Sequence, residues 1–143
     1  MQKESSPENL YDRDKAAQKR GIIVERVTSG QAILSMKVLD WMIQAHMICH
    51  GGFIFALADT AMAYASNKDE TPHLALNANI DFLKPAKLGD HLIATASEGN
   101  RTRKTGMYNV TVEMKGGSLI AEFRGRTYGV SYQKKKPKKK KKK

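Results

Sequence analysis

Residues 50–67 read HGGFIFALADTAMAYASN, and the part from Phe53 to Ala65 decides the fold. It has apolar residues on every side of a helix, whereas a surface helix keeps one polar face. Its alanines keep the helix thin enough for close packing, and Asn67 is expected to end it. The sequence therefore predicts a long helix buried in the middle of the protein.

Strand patterns flank this helix on both sides. Before it, residues 22–27 and 32–38 are predicted to form a hairpin that turns at Ser29-Gly30. After it, strands are predicted at residues 74–83, 90–98, 107–114 and 118–130. Gly99-Asn100 is expected to end the second of these. One helix for about six mostly antiparallel strands predicts an α+β fold, with a curved sheet wrapped around the helix.

The length of the chain fits a single domain, because 143 residues close one core and not two. We predict a polar lead-in at residues 1–20, frayed or helical and outside the core. The folded domain is expected at residues 21–132. A disordered lysine tail is predicted at residues 133–143.

The net charge of +11 lies mostly in that tail. Its run KKKPKKKKKK holds nine of the 25 Lys and Arg residues, which leaves 16 basic against 14 acidic residues elsewhere. Such a run is typical of a solvated segment, and it has no interleaved aromatic residues to stack on bases. We therefore expect no specific nucleic-acid partner. Weak binding of polyanions by the tail stays open as an alternative.

The sequence also bears on cellular location. No apolar stretch reaches the roughly 20 residues of a transmembrane helix, and the N-terminus lacks the apolar core of a secretory signal. No membrane association is expected. Cys49 is the only cysteine and cannot form a disulfide within the chain, so a reducing cytoplasm is the expected setting.

Asp59 is the anomaly of the central helix. Removing a carboxylate from water costs several kcal/mol unless it is paired or protonated. A lone acid among apolar residues is a known position for a reactive group with a perturbed pKa. The alternative is a structural aspartate that Thr60 or a partner chain satisfies with hydrogen bonds.

The glycines before the helix indicate a second part of a site. Gly51 and Gly52 let a ligand approach the unpaired N–H groups of the first helical turn, which can bind a developing oxyanion. A crowded turn is the alternative explanation. Asp59 follows Gly51 by roughly 12 Å along the axis, too far to share one carbonyl. We therefore predict that two antiparallel helices in a homodimer share each site.

Two other constellations are weaker. His46 and His50 have the spacing of two metal ligands on one helix face, but the glycines indicate that the helix has not yet begun. No metal site is expected. Cys49 beside His50 resembles a thiol nucleophile with its base, yet sequence neighbours normally point apart and a buried free cysteine is commoner.

The string at residues 50–67 resembles the helix signature of the PaaI family of hotdog-fold thioesterases, known from phenylacetate degradation. Further matches are IDFLKPA at residues 80–86, TGMY at 105–108 and FRGR at 123–126. The resemblance implies a hotdog fold and hydrolysis of phenylacetyl-CoA-like or medium-chain acyl-CoA. Asp59 would act as general base or nucleophile, the Gly51 N–H would form the oxyanion hole, and His50 would flank it.

The resemblance also implies further contacts. The amide that helps to bind the carbonyl is Gln44 here, where asparagine is common, followed by Ala45 in place of glycine; His46 is the alternative donor. Other expected substrate contacts are Gly52, Thr60, Lys84, Arg124 and Arg126, the last three near the phosphates of coenzyme A. Leu74-Ala75-Leu76 lacks a hydroxyl that some relatives place there.

The implied assembly is a homotetramer, a dimer of dimers. No cofactor is needed beyond the coenzyme A carried by the substrate. Two alternatives stay open: a dehydratase of hydroxyacyl thioesters, which needs a histidine proton shuttle opposite Asp59, and a non-catalytic acyl-CoA-binding protein.

Overall fold

The computed structural model describes residues 7–67 and 71–130. The predicted lysine tail and the predicted domain end at residue 132 lie outside these residues, and the domain limits stay a prediction. The helices are α1 (Pro7–Arg13), α2 (Lys15–Lys19) and α3 (Gly51–Ser66), with a short 3-10 turn at Asp40–Met42. The strands are β1 (Ile23–Thr28), β2 (Gln31–Lys37), β3 (His73–Phe82), β4 (His91–Arg101), β5 (Thr105–Met114) and β6 (Leu119–Gly129).

The six strands form one antiparallel sheet in the order β1-β2-β4-β5-β6-β3. Helix α3 packs against one face of this sheet, which curves around it, and contributes Leu57, Ala58 and Ala61 to the core at 0% exposure. The predicted α+β architecture, with one long helix and six antiparallel strands, is confirmed.

The alternating residues of the strands face the core as their patterns predicted. On β2 the side chains of Ala32, Leu34 and Met36 are buried, and on β5 those of Tyr108 and Val110. Apolar side chains on alternate positions bury one face of a strand because successive side chains point to opposite faces. The core therefore lies between α3 and the concave face of the sheet.

The prediction that strand β4 ends at Gly99-Asn100 is wrong, because the strand continues to Arg101. The register against β5 shifts between Glu98 and Asn100, so Gly99 is the extra residue of a β-bulge. A glycine inside a strand marks such a bulge as often as an end, because it tolerates the bent backbone.

The N-terminal helices are part of the folded body, so the expectation that the lead-in stays outside the core is wrong. Ala17 of α2 is 1% exposed within the core cluster. The Tyr11 hydroxyl donates to the Ile22 carbonyl at 2.8 Å, which fastens α1 to the start of β1. Asp14 caps α2 by accepting from the Ala17 N–H at 3.0 Å.

One side of the molecule leaves apolar surface uncovered. Strand β3 is an edge of the sheet, and Leu74, Leu76 and Phe82 on it are 61%, 58% and 52% exposed. Asp59 and its neighbours on the same side of α3 are half-buried. Edge strands with exposed apolar residues pair readily with other strands. In the described part of the chain no helix is long and apolar enough to span a bilayer.

Gly125 of β6 lets α3 approach the sheet, because a Cβ there would overlap the Met62 sulfur. We expect Gly125→Ala to lower the free energy of unfolding by about 1–3 kcal/mol through overpacking. Urea unfolding at fixed protein concentration measures the change. Glu122→Ala, an exposed change on the same strand, is the control. Equal unfolding midpoints for both variants would contradict the close contact of α3 with β6.

Candidate active site

The first turn of α3 leaves one N–H group open. His50 is the N-cap, and its Nδ1 accepts from the Gly52 N–H at 3.1 Å. The Phe53 N–H donates to the His50 carbonyl at 3.0 Å. Among the described residues none accepts from the Gly51 N–H. The predicted contribution of Gly52 to substrate binding therefore cannot come from its N–H, whereas that of Gly51 can.

Gly51 is also confined by packing. A Cβ at this position would lie 2.8 Å from the end of the Phe82 ring, whose side chain is half-exposed on β3. The crowded-turn explanation therefore applies to Gly51. It does not exclude a ligand, because the ring lies against the Cα while the N–H remains unpaired.

The loop before α3 brings Gln44 back beside the residues that lead into the helix. The Gln44 N–H donates to the Ile48 carbonyl at 2.8 Å, and Ile43 and Cys49 form an isolated antiparallel bridge. The Gln44 amide oxygen accepts from the His46 N–H at 3.0 Å. This bond uses the oxygen and leaves the amide NH₂ as a donor for a ligand carbonyl.

His46 and His50 do not share a helix face. His46 is exposed in the loop, and His50 precedes the first helical residue. Over residues 7–67 and 71–130, no group of three or more His, Cys, Asp and Glu side chains is placed to hold a metal ion.

Asp59 is half-buried in the middle of α3. Within the described chain no group donates a hydrogen bond to its carboxylate, and no cation pairs with it. The Thr60 hydroxyl donates to the Ala56 carbonyl at 2.6 Å, so the alternative in which Thr60 satisfies Asp59 is wrong. Burial raises the pKa of the Asp59 carboxyl above its ordinary value, because desolvation penalises the charged form.

The carboxylate opens into a cleft of about 490 Å³. Met62 and Ala63 of α3 line the cleft beside Asp59, and Leu74 and Ala75 of β3 line its opposite side. The walls are mainly apolar. Such a cleft with one unpaired acid is suited to an apolar ligand that presents a reactive group at the acid.

His73 also lines the cleft, but its ring is fully engaged. Arg101 donates from its Nη2 to the His73 Nε2 at 3.1 Å, so the proton of a neutral ring resides on Nδ1. This Nδ1 lies 2.9 Å from the Thr127 hydroxyl. Both nitrogens have structural partners, and the ring does not provide the proton shuttle that the dehydratase alternative requires.

The three predicted phosphate ligands do not converge on Asp59. Arg124 and Arg126 are exposed on β6, where the alternate residues Phe123 and Gly125 are buried against α3. The two arginines therefore lie on the outer face of the sheet, which separates them from Asp59 of the same chain. Lys84 is exposed just beyond Phe82, at the Gly51 end of α3.

Cys49 is not a nucleophile in this setting. Its thiol is buried at 3% exposure, and burial raises its pKa to about 11. The Sγ atom lies 3.5 Å from the His50 carbonyl, not from the imidazole. A thiol with this pKa stays protonated near neutral pH.

The sequence did not reveal the contribution of the N-terminal helices to the cleft. Leu10, Arg13 and Asp14 belong to its lining, together with Asp59 of α3. The lead-in has no steady apolar period, so no local pattern marks these residues as neighbours of Asp59.

A curved antiparallel sheet around a long central helix is the hotdog fold, and the single acid on that helix fits a thioester hydrolase. The profile of the Thioesterase superfamily matches residues 46–121, and the chain belongs to this superfamily. The predictions of the family, the fold and the enzyme class are confirmed.

Individual relatives agree with this membership. The chain is 36% identical over 121 residues to acyl-coenzyme A thioesterase PaaI of Escherichia coli K12, covering 85% of this chain and 86% of that protein. The solved structure of E. coli PaaI superposes with a TM-score of 0.83 at 35% identity, over 86% of this chain and 89% of that chain.

Two further solved structures are similar. A variant of the phenylacetic acid degradation protein PaaI from Thermus thermophilus is 34% identical, with a TM-score of 0.79 over 82% of this chain and all of that chain. A Streptococcus mutans protein bound to acetyl-CoA is 25% identical, with a TM-score of 0.74 over 76% of this chain and 88% of that chain.

The raised pKa of Asp59 predicts a dependence of stability on pH. The unfolded chain releases this proton near the ordinary pKa of about 3.9, and the folded chain releases it at higher pH. Ionisation therefore destabilises the folded state as the pH rises through the folded pKa. We expect Asp59→Asn to raise the urea midpoint at pH 7–8, with the gain shrinking as the pH falls towards 4.

Urea unfolding at fixed protein concentration over this pH range is the measurement. The exposed Asp12→Asn serves as the control for loss of a negative charge. A lower midpoint for Asp59→Asn at pH 8 would mean that the carboxylate is stabilised by partners.

Proposed function

We propose that the protein hydrolyses the thioester of acyl-CoA to the free acid and coenzyme A, with Asp59 as the base and the Gly51 N–H as an oxyanion donor. The observation that carries this proposal is the unpaired Asp59 carboxylate at an apolar cleft, with a pKa raised by burial. A raised pKa makes a carboxylate a stronger base, so it accepts a proton from water more readily.

In the proposed reaction Asp59 takes a proton from a water molecule as the water oxygen attacks the thioester carbonyl carbon. The carbonyl oxygen becomes an oxyanion, which accepts hydrogen bonds from the Gly51 N–H and the Gln44 amide NH₂. The tetrahedral intermediate then breaks its C–S bond, and the protonated Asp59 returns the proton to the leaving sulfur. Attack by Asp59 itself through an anhydride is the alternative that the resemblance allows.

Each site requires two chains, because Gly51 and Asp59 of one helix are roughly 12 Å apart. Strand β3 runs antiparallel to α3, so Phe82 lies by Gly51 and Leu74 lines the cleft of Asp59. Two copies can pair along their β3 edges about a two-fold axis near the middle of the strand. This pairing brings Phe82 of one chain towards Leu74 of the other. This arrangement turns the Gly51 end of one helix towards the Asp59 of its partner.

The finer parts of the proposal concern the substrate and the assembly. We assign phenylacetyl or medium-chain acyl groups to the apolar cleft; the E. coli relative comes from a phenylacetic acid degradation operon. Lys84 is the candidate for the phosphates, since it lies at the Gly51 end. The assembly is a dimer of dimers. A cytoplasmic location is proposed because the thiol of Cys49, the single cysteine, is buried and unpaired.

The Gly51 N–H can be removed with little change to the backbone. Proline is tolerated at the first helical position, and His50 has φ −61° and ψ 131°, which suit a residue before proline. We expect Gly51→Pro to lower kcat by about 10²–10³-fold relative to Gly51→Ala, which keeps the N–H and adds the same contact with Phe82. We expect Asp59→Asn to lower kcat by about 10²–10⁴-fold. Release of free thiol from an acyl-CoA panel is the assay.

Wild-type turnover that Asp59→Asn leaves unchanged would remove Asp59 as the base, and no turnover in either protein would favour a non-catalytic binder. Co-expression of Asp59→Asn with Gly51→Pro tests the shared site. Random pairing makes half of the dimers mixed, each with one intact site, so about a quarter of wild-type activity should return. If no activity returns although mixed dimers are isolated, Asp59 and Gly51 act from the same chain.

The β3 edge is predicted to be the dimer interface. We expect Leu76→Lys to shift the protein towards a monomer in analytical ultracentrifugation and to reduce activity, because a buried charge opposes pairing. Ile23→Lys places the same charge at a 52% exposed position of β1, the other edge of the sheet. This control should keep the dimer and its activity. A Leu76→Lys protein that remains dimeric and active would refute the β3 interface.

A further inference from the structure

Asp14 links the N-terminal helices to α3 through its two carboxylate oxygens. One carboxylate oxygen of Asp14 caps α2 through the Ala17 N–H. The other oxygen accepts from the Tyr64 hydroxyl at 3.4 Å. Tyr64 is 1% exposed and lies on α3 beyond Asp59. The bond therefore fixes α1 and α2 over the helix that carries the proposed base.

The position of α1 relative to α3 places Leu10 of α1 in the cleft. Leu10 is half-buried and lines the same space as Asp59, Met62 and Leu74. It packs against the core cluster and adds an apolar side chain to the lining of the cleft. An acyl group whose carbonyl lies at Asp59 would share the cleft with Leu10.

We infer that α1 forms the outer wall of the acyl pocket, and that Leu10 is a specificity-determining residue that limits the bulk of the acyl group. This inference rests on the proposed function. Tyr64 is a positioning residue, since it does not line the cleft and acts on the acyl group only through the placement of α1. Asp14 lines the cleft itself and also positions α1 through its bond with Tyr64. Because an apolar pocket discriminates by roughly 10–200-fold per methylene, the size of one wall side chain should alter the preference measurably.

The first experiment compares Leu10→Ala and Leu10→Trp with wild type on straight-chain acyl-CoA from four to twelve carbons and on phenylacetyl-CoA, read by thiol release. We expect the ratio of kcat/KM for long over short chains to rise about 10-fold in Leu10→Ala and to fall comparably in Leu10→Trp. Asp12→Ala, exposed on the same helix and outside the cleft, should keep the wild-type ratio.

The second experiment tests the positioning residues. Tyr64→Phe and Asp14→Ala each remove the bond between α1 and α3, and both should flatten the chain-length preference mainly through KM. Asp14→Asn keeps the acceptor oxygen for the Ala17 N–H, and its NH₂ can donate to the Tyr64 hydroxyl oxygen in place of the bond that this hydroxyl donates in wild type, so it should restore the wild-type preference. Thermal melts show whether each variant is folded.

The outcomes separate the inference from the proposed function. If wild type hydrolyses no thioester in the panel, the proposed function fails. If wild type is active but both Leu10 variants keep its chain-length ratio, α1 is not the wall of the acyl pocket. A folded Asp14→Asn variant that behaves like Asp14→Ala would remove Asp14 and Tyr64 from the positioning of α1.

Discussion

The molecule depends on one carboxylate kept half-buried in an apolar helix without a hydrogen-bond partner in the described chain. Full burial of an unpaired charge costs several kcal/mol, so Asp59 is tolerated only because the cleft keeps one of its sides open. That partial burial raises its pKa, because desolvation penalises the charged form. Stability and reactivity are therefore opposed at this residue: a donor that stabilised the carboxylate would lower its pKa and weaken it as a base.

The same constraint shapes the rest of the fold. One helix covers the concave face of the sheet, but Asp59 on this helix lines a cleft beside strand β3 and is only half-buried. Strand β3, beside it, exposes leucines and Phe82 at an edge. A second copy that covers this edge would bury apolar surface and would also bring a helix N-terminus towards the carboxylate. In the proposed mechanism the contact that would cover the β3 edge would also complete the catalytic site, so a monomer would be an incomplete enzyme.

The sequence predicted those features that follow from local period, and it missed those that depend on distant contacts. The alternation of apolar and polar residues placed Ala32, Leu34 and Met36 in the core. The same alternation along β6 could have shown that Arg124 and Arg126 point away from Asp59. Gly99 is compatible with the end of strand β4 or with a bulge inside it, and only the pairing of β4 with β5 distinguishes the two. Helices α1 and α2 are too short to be stable alone, so their position depends on contacts such as that of Asp14 with Tyr64.

Gly51 and Gly52 at the start of α3 differ in the space that each leaves for a Cβ. At Gly51 a Cβ would press on the Phe82 ring, whereas at Gly52 it would meet only the cap imidazole at an ordinary 3.4 Å. His50 satisfies the Gly52 N–H with Nδ1 and the Phe53 N–H with its carbonyl. The cap therefore selects which donor of the first turn stays open. With its neighbours satisfied, the Gly51 N–H is the donor left open at the positive end of the helix dipole, where the proposed mechanism places the oxyanion.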